Sequence, residues 1–291
     1  MIFQDFSYEC PTNIQDAVAM LDEAGVRSCP IAGGTDLTIG LRNGWILVDR
    51  LVDLTRILEL RTIQKANQVV RIGAAVTFTE IINNPMLRKD LPLLVKACEQ
   101  VGCDQIRNLG TIGGNVANAA VCADSLPPLV CLGSVAVIQS PRGQTRIPIS
   151  EFVTGPNQTC MPHGGLIESI EIPAQPAGVK GAFERIGRRK AMAIARLSLA
   201  ALGSLGSDGR ISRVHLVPGA AFPRFMRITP VEDLLIGKQP EEALFAAAGQ
   251  AMADQFNQVS GNRWSAEWKL KAMAAITERA LRQVFGGMNE N

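Results

Sequence analysis

Two short glycine-bearing stretches carry most of the chemistry this chain offers. The first is Ile31-Ala32-Gly33-Gly34-Thr35-Asp36, and the second is Arg107-Asn108-Leu109-Gly110-Thr111-Ile112-Gly113-Gly114-Asn115. Glycine pairs let the backbone approach a ligand closely and turn successive N–H groups into one concavity, which suits phosphate oxygens. Thr35, Thr111 and Asn115 add hydroxyl and amide donors. Neither stretch is a G-x-G-x-x-G turn opening a long helix, and neither ends in the Gly-Lys-Ser/Thr of an ATP-binding loop. From the residues alone, a tight turn and a site for a phosphate-bearing cofactor both stay open.

The reactive side chains are sparse. The seven cysteines, at 10, 29, 98, 103, 122, 131 and 160, include no C-x-x-C pair, so reduced thiols are expected rather than a zinc or iron–sulfur site. His163 lies in a Pro-His-Gly-Gly loop and His215 in an expected strand, each without an obvious catalytic partner. The basic run Arg185, Arg188, Arg189, Lys190 and Arg196 reads either as a solvated or inter-subunit face or as charge set against a bound anion.

The elements that must position these groups follow from patterning. The chain has 291 residues, 47% hydrophobic and 19% charged, with 29 basic against 27 acidic residues. That length suggests about two domains at ~150 residues each. Near-neutral charge and 5% aromatics argue against nucleic-acid binding. No apolar run approaches the ~20 residues that span a bilayer, and the first residues lack the basic and apolar regions of a signal peptide, so a soluble cytoplasmic protein is expected. Thr12 and Gln15 suggest a capping box for a helix ended by Gly25. Strands are expected at 29–32, 46–54, 69–73 and 166–172, and helices at 77–83 and 91–101 with Pro85 as a breaker between them. Residues 135–140 and 144–149 read as a hairpin. Residues 174–180 read as a linker. Strands at 197–205 and 210–218 then precede helices at 241–255 and 265–284, an α+β order. Trp264 and Trp268 are expected as core or interface anchors on the last helix.

At the glycine stretches the sequence resembles the FAD-binding medium subunit of the molybdenum hydroxylases, the xanthine dehydrogenase and carbon monoxide dehydrogenase family. Three segments carry the resemblance: Ala32-Gly33-Gly34-Thr35-Asp36, Ile72-Gly73-Ala74-Ala75-Val76-Thr77, and Gln105-Ile106-Arg107-Asn108 through Thr111-Ile112-Gly113-Gly114-Asn115, continued by Asn118 and Asp124. It implies an α+β fold: an FAD-binding domain of the vanillyl-alcohol-oxidase/PCMH type over 1–175, in subdomains 1–58 and 59–175, and a smaller flavoprotein C-terminal domain over 180–288. Pro30, Ile31, Ala32, Gly33, Gly34, Thr35, Asp36 and Leu37 would then wrap the FAD diphosphate from one side. Thr111, Gly113, Gly114 and Asn115 would hold it from the other, with Asn118 nearby, Asp124 bonding a polar part of FAD and the backbone at Ile167 near the isoalloxazine.

FAD would be non-covalent, because the first stretch has no histidine to attach it. Molybdopterin and 2Fe–2S clusters would sit on a large and a small partner subunit, in a dimer of heterotrimers. The chain would pass electrons from the clusters to NAD or another acceptor. Alternatives are a flavin-free structural subunit and a stand-alone NADH-oxidising flavoprotein. Two departures stand out. Glu184 occupies the place where xanthine dehydrogenase has a lysine near the cofactor, leaving Arg185, Arg188, Arg189 or Lys190 to supply positive charge. No cysteine-bearing insert follows Asn115, so Cys122 and Cys131 are expected as ordinary buried thiols.

Overall fold

The computed structural model describes residues 5–189, 192–260 and 266–286. Lys190 and Trp264 lie outside them. The chain forms two compact units. One comprises Met1–Asn84, Cys103–Ala119 and Gly133–Ala174, and the other Pro85–Gly102, Ala120–Leu132 and Gln175–Asn291.

The first unit contains a three-stranded parallel sheet in which Arg50–Asp53 lies between Ser7–Glu9 and Ser28–Ile31. Helix Ile14–Asp22 buries Ile14, Ala17 and Leu21 in a core with Val52, Leu54, Ile57, Leu60 and Leu166. Its cap falls one residue later than expected. Asn13, not Thr12, accepts the Asp16 N–H at 2.8 Å and donates back to the Asp16 carboxylate at 2.7 Å. The expected strand over 46–54 shortens to Arg50–Asp53, where backbone partners exist on both sides. Just before it, the Asp49 carboxylate is held by both the backbone and the guanidinium of Arg27.

A five-stranded antiparallel sheet completes this unit, in the order Ile63–Ala66, Val69–Gly73, Leu166–Pro173, Val135–Ser140 and Gly143–Pro148. The last two strands are the expected hairpin. Leu166–Pro173 is central and buried over most of its length, with the polar Glu168 and Ser169 buried among its apolar residues. An irregularity in register between Ile167 and Ser169 breaks its pairing with Val135–Ser140.

In the second unit, Ala195–Leu205 is flanked by Lys180–Gly187 and Ile211–Gly219 in an antiparallel sheet. Helices Glu242–Ser260 and Ala266–Phe285 pack on it, with Met252, Phe256, Met273, Ile276 and Leu281 in the shared core. Gly203 is required there, because a Cβ would run into the ring of Phe285. Strand Lys180–Gly187 and helix Thr229–Leu235 were not legible in the sequence. Pro85, expected as a breaker, opens a helix of its own, Pro85–Asp90, as proline can in a first turn.

Candidate functional site

Strand Ser28–Ile31 ends at Ile31, whose carbonyl accepts the Leu54 N–H at 2.8 Å. Beyond it the chain leaves the sheet at the carboxyl ends of parallel strands, the place where open α/β sheets put ligands. Two carbonyls here accept from residues close by. Gly34 O accepts the Thr38 N–H at 2.9 Å and its hydroxyl at 2.7 Å, and Asp36 O accepts from Ile39 and Gly40 at 3.1 and 3.2 Å. The amides have no such partners. Among the described residues, none of the backbone N–H groups from Ala32 to Leu37 donates to a protein acceptor. Six successive amides without a protein acceptor are available to an anion, since backbone N–H groups do not stay unpaired without a ligand or water.

Two glycines allow this shape. Gly34 has φ +65°, in the left-handed region. Gly33 packs so closely on the Leu109 carbonyl and Gly110 that a Cβ has no room. The first glycine stretch is thereby seated on the second within one unit. Gly33, Gly34 and Thr35 are half-buried and Asp36 is exposed; Pro30 is exposed, while Ile31, Ala32 and Leu37 are half-buried.

The second stretch behaves differently from a cradling loop. Gly113 and Gly114 lie in the first turn of helix Ile112–Asn118, whose N-cap is Thr111. Its amides are already bonded: Ile112 to Val76 O at 3.0 Å, Gly113 to Ala74 O at 2.9 Å, Gly114 to Thr111 Oγ1 at 3.2 Å, and Asn115 to Thr111 O at 3.0 Å. Gly113 is buried against Ala74, where a side chain would overlap. These glycines serve close packing on residues 74–76, and Gly114 presents bare, exposed backbone beside the half-buried Asn115. Asn118 ends the helix, followed by Ala119 in the left-handed conformation at φ +48°.

The residues supporting this stretch are themselves capped. Thr77 forms a backbone bridge to Thr111 and starts helix Phe78–Asn83 with a capping box, its hydroxyl and amide both meeting Glu80. Thr77→Ala is expected to cost about 1 kcal/mol, read by urea unfolding.

Two polar clusters were missed from sequence. The Glu168 carboxylate, on the central strand next to Ile167, accepts from Gln139 at 2.6 Å, Gln144 at 2.9 Å and Arg71, while its backbone carbonyl takes the Ala74 N–H at 3.0 Å. It ties its own strand to three others of the sheet and anchors the irregular backbone at the buried Ile167. Asp53, at the end of the middle parallel strand and paired in register with Ile31, accepts from Tyr8 Oη at 2.9 Å and Thr55 N at 2.8 Å. Burial, with Asp53 beside it, raises the Tyr8 phenol. The signal for each cluster was a carboxylate within an otherwise largely apolar strand.

Asp124 belongs to the second unit and is buried. Its Oδ1 accepts from Arg185 Nε at 2.9 Å, and Arg185 also donates to the Ala193 carbonyl. Burial pushes the Asp124 carboxyl up to about 6, with Arg185 holding it from rising further. Glu184, at the position of the expected lysine, is engaged by Arg279 at 2.9 Å and Gln283 at 2.5 Å. Arg189 donates through Nε and Nη2 to the Met192 carbonyl, and Arg196 stacks on Trp268 at 4.6 Å.

His163 is exposed, with Nδ1 2.9 Å from Asp22 Oδ1, and His215 Nδ1 lies 2.8 Å from the Cys131 carbonyl, where burial lowers its pKa. All seven cysteines are free, Cys131 buried and Cys122 only half-buried. Among the described residues no group of three or more His, Cys, Asp or Glu could hold a metal ion.

Residues 4–175 match the family model described as the FAD binding domain in molybdopterin dehydrogenase. The chain belongs to this family. Residues 182–284 of this flavoprotein chain match the CO dehydrogenase flavoprotein C-terminal domain. The chain is 31% identical over 288 residues to the xanthine dehydrogenase FAD-binding subunit of Escherichia coli O157:H7, covering 97% of each. It is 27% identical to the nicotinate dehydrogenase FAD-subunit of Eubacterium barkeri, covering 99% of this chain and 100% of the relative. Among solved structures, carbon monoxide dehydrogenase from Hydrogenophaga pseudoflava superposes with a TM-score of 0.91 at 27% identity, over 98% of this chain and 99% of that one. The expected α+β fold, an FAD-binding domain followed by a flavoprotein C-terminal domain, is thus found. FAD is the cofactor of the family, and the family's members are parts of oxidoreductases. The undonated amides of 32–37 and the Cβ-free contact at Gly33 fit the diphosphate of that cofactor.

Proposed function

We propose that this chain is the FAD-carrying electron-transfer subunit of a molybdenum-containing hydroxylase or dehydrogenase. The observation that carries the proposal is the run of six undonated amides, Ala32 to Leu37, at the carboxyl ends of the parallel strands. Those amides would hold the FAD diphosphate, with the Thr35 hydroxyl beside them. Thr111, Gly114 and Asn115 would contribute a hydroxyl, an open approach and a side-chain amide from the neighbouring helix start. The buried Gly113 acts indirectly by letting that helix seat on Ala74. Residues 1–175 would form the FAD-binding part and 180–288 the C-terminal domain.

When bound, FAD supplies the redox chemistry, and the protein's part is to bind, orient and shield it. Electron transfer needs no nucleophile or general base from the chain, which suits a protein whose two histidines are engaged with Asp22 and a backbone carbonyl. The Glu168 cluster would hold the backbone at Ile167 in one position relative to the ring. Non-covalent attachment is supported by the composition of residues 30–37, which include no histidine or cysteine.

The clusters and the molybdenum cofactor would reside on a small and a large partner subunit, in a dimer of heterotrimers. The medium chain of carbon monoxide dehydrogenase and the medium subunit of nicotine 6-hydroxylase among the relatives support a large and a small partner beside this chain. Electrons would leave to NAD or another acceptor, and the complex would work in the cytoplasm. No helix among the described residues is long and apolar enough to cross a membrane.

The test is the visible spectrum of the purified chain. A yellow protein whose flavin bands are released as free FAD on denaturation is expected, at about one FAD per chain. A folded, colourless chain that takes up no added FAD would overturn the reading in favour of a flavin-free structural subunit.

A further inference from the structure

Along the central strand of the five-stranded sheet, pairing with Val135–Ser140 steps from Ile167 opposite Ile138 to Ser169 opposite Val137. Glu168 therefore has no residue across from it on that side. A residue left out of the ladder is not oriented by cross-strand pairing, and bulges of this kind re-aim groups beside functional sites. Here the side chain supplies the constraint. The buried carboxylate accepts from Arg71, from Gln139 at 2.6 Å and from Gln144 at 2.9 Å, and Arg71 also donates to Ser169 Oγ at 2.8 Å. Donors from three strands thus hold one side chain. Packed apolar residues often stabilise as well as a buried charged cluster, so stability alone does not account for it.

What the bulge aims is a carbonyl. Glu168 O accepts the Ala74 N–H at 3.0 Å, and Ala74 O accepts the Gly113 N–H at 2.9 Å. Two peptide groups in series join the bulge to the first turn of helix Ile112–Asn118. The joint has no slack, because Ala74 is buried and a Cβ on Gly113 would overlap its methyl and backbone. Gly33 rests in turn on Leu109 and Gly110, just before that helix. All of these residues belong to the first unit. A shift of the Glu168 peptide therefore moves the helix start at Thr111–Asn115, and with it the seat of the first glycine stretch.

We propose that Glu168 is a positioning residue for the cofactor site: its clamped carboxylate fixes the peptide that holds Ala74, and through Ala74 fixes Gly113 and the helix start beside it. The proposal rests on the flavin reading and adds to it a route from a side chain in the sheet to both glycine stretches.

The experiment titrates the flavin-stripped whole chain with FAD and reads amide exchange and the urea midpoint on the same samples. Glu168→Leu is expected to weaken FAD roughly tenfold, the size of effect seen for residues acting through others. It is also expected to speed exchange at Ala74 and Gly113 while the hairpin amides between 135 and 147 keep their rates. Glu168→Gln, which retains one acceptor oxygen, should recover part of the loss. Gln139→Met combined with Gln144→Met removes two donors without emptying the space. It should show the same pattern more weakly, and it carries the test if Glu168→Leu does not fold. Ile172→Val, which removes a buried methylene from the same strand, is expected to lower the urea midpoint and leave FAD affinity unchanged.

Wild-type FAD affinity in the Glu168 variants, or a loss that merely follows the urea midpoint across all variants, would overturn the proposal. Weakened FAD with wild-type exchange at Gly113 would also overturn it, since the carboxylate would then act through Ile167 alone. A wild-type chain that takes up no FAD would instead refute the flavin reading on which the positioning role rests.

Discussion

Gly33→Val is expected to leave a purified chain with less than a tenth of the wild-type FAD. The position has no room for even a Cβ, because the Leu109 carbonyl and the Gly110 backbone occupy that space. These are backbone atoms of a neighbouring segment, so they cannot rotate aside as a flexible side chain could. The first glycine stretch must lift away, and the amides from Ala32 to Leu37 move with it. Gly34→Ala provides the graded comparison. There a Cβ meets only the Ile31 and Thr38 side chains at 3.3 Å, and the main penalty is the left-handed backbone at φ +65°, worth roughly 1–2 kcal/mol. Flavin absorbance per chain, with circular dichroism to show that both variants fold, checks the order: wild type above Gly34→Ala above Gly33→Val.

Arg185→Met should be the costliest change outside the first unit. It strands the Asp124 carboxyl in a buried setting, and breaking a buried pair in this way costs about 3 kcal/mol or more. The loss should depend on pH in a definite sense. Burial places the folded-state Asp124 pKa at about 6, above the ordinary value, and Arg185 is the group that restrains it. Removing Arg185 raises it further. A carboxyl whose folded-state pKa is raised binds more protons folded than unfolded, so its contribution to stability declines as pH rises through that value. Arg185→Met is therefore expected to lie close to wild type at pH 5 and furthest below it at pH 8. Urea unfolding at the two pH values checks this, and an equal deficit at both would show that Asp124 does not carry the effect. Asp124→Asn combined with Arg185→Met should recover much of the loss at pH 8, because no buried charge is then left alone.

Much of the architecture was legible because local signals agreed with the tertiary outcome. The hairpin at 135–148 and the two long C-terminal helices were bounded by local sequence signals. The misplaced features share a different cause. Gly113 and Gly114 read as loop because glycine is a poor helix former, yet Thr111 caps a helix there and Ala74 leaves no space for a larger residue. The strand expected over 46–54 lost its first half because pairing, not propensity, decides where a parallel strand begins.

The candidate site was legible in part. The family motif pointed to residues 30–37 and 111–115, but it could not distinguish amides without a protein acceptor from amides already bonded. That distinction depends on Val76 and Ala74 accepting from Ile112 and Gly113, contacts nearly 40 residues apart in sequence. Asp124 was expected on the flavin, and its partner 61 residues away was beyond any local pattern. The Glu168 and Asp53 clusters were hidden for the same reason: Glu168 gathers donors from three other strands, and Asp53 takes the hydroxyl of Tyr8, 45 residues away.

The central claim concerns the backbone from Ala32 to Leu37, and amide hydrogen exchange measures it directly. Exchange should be compared in the FAD-loaded chain and in the same chain stripped of flavin. Strong protection of the amides at 32–37 on FAD binding is predicted, with the amides of 112–115 protected in both states by their bonds within the protein. Unchanged, rapid exchange at 32–37 in a chain shown to hold FAD would contradict the account.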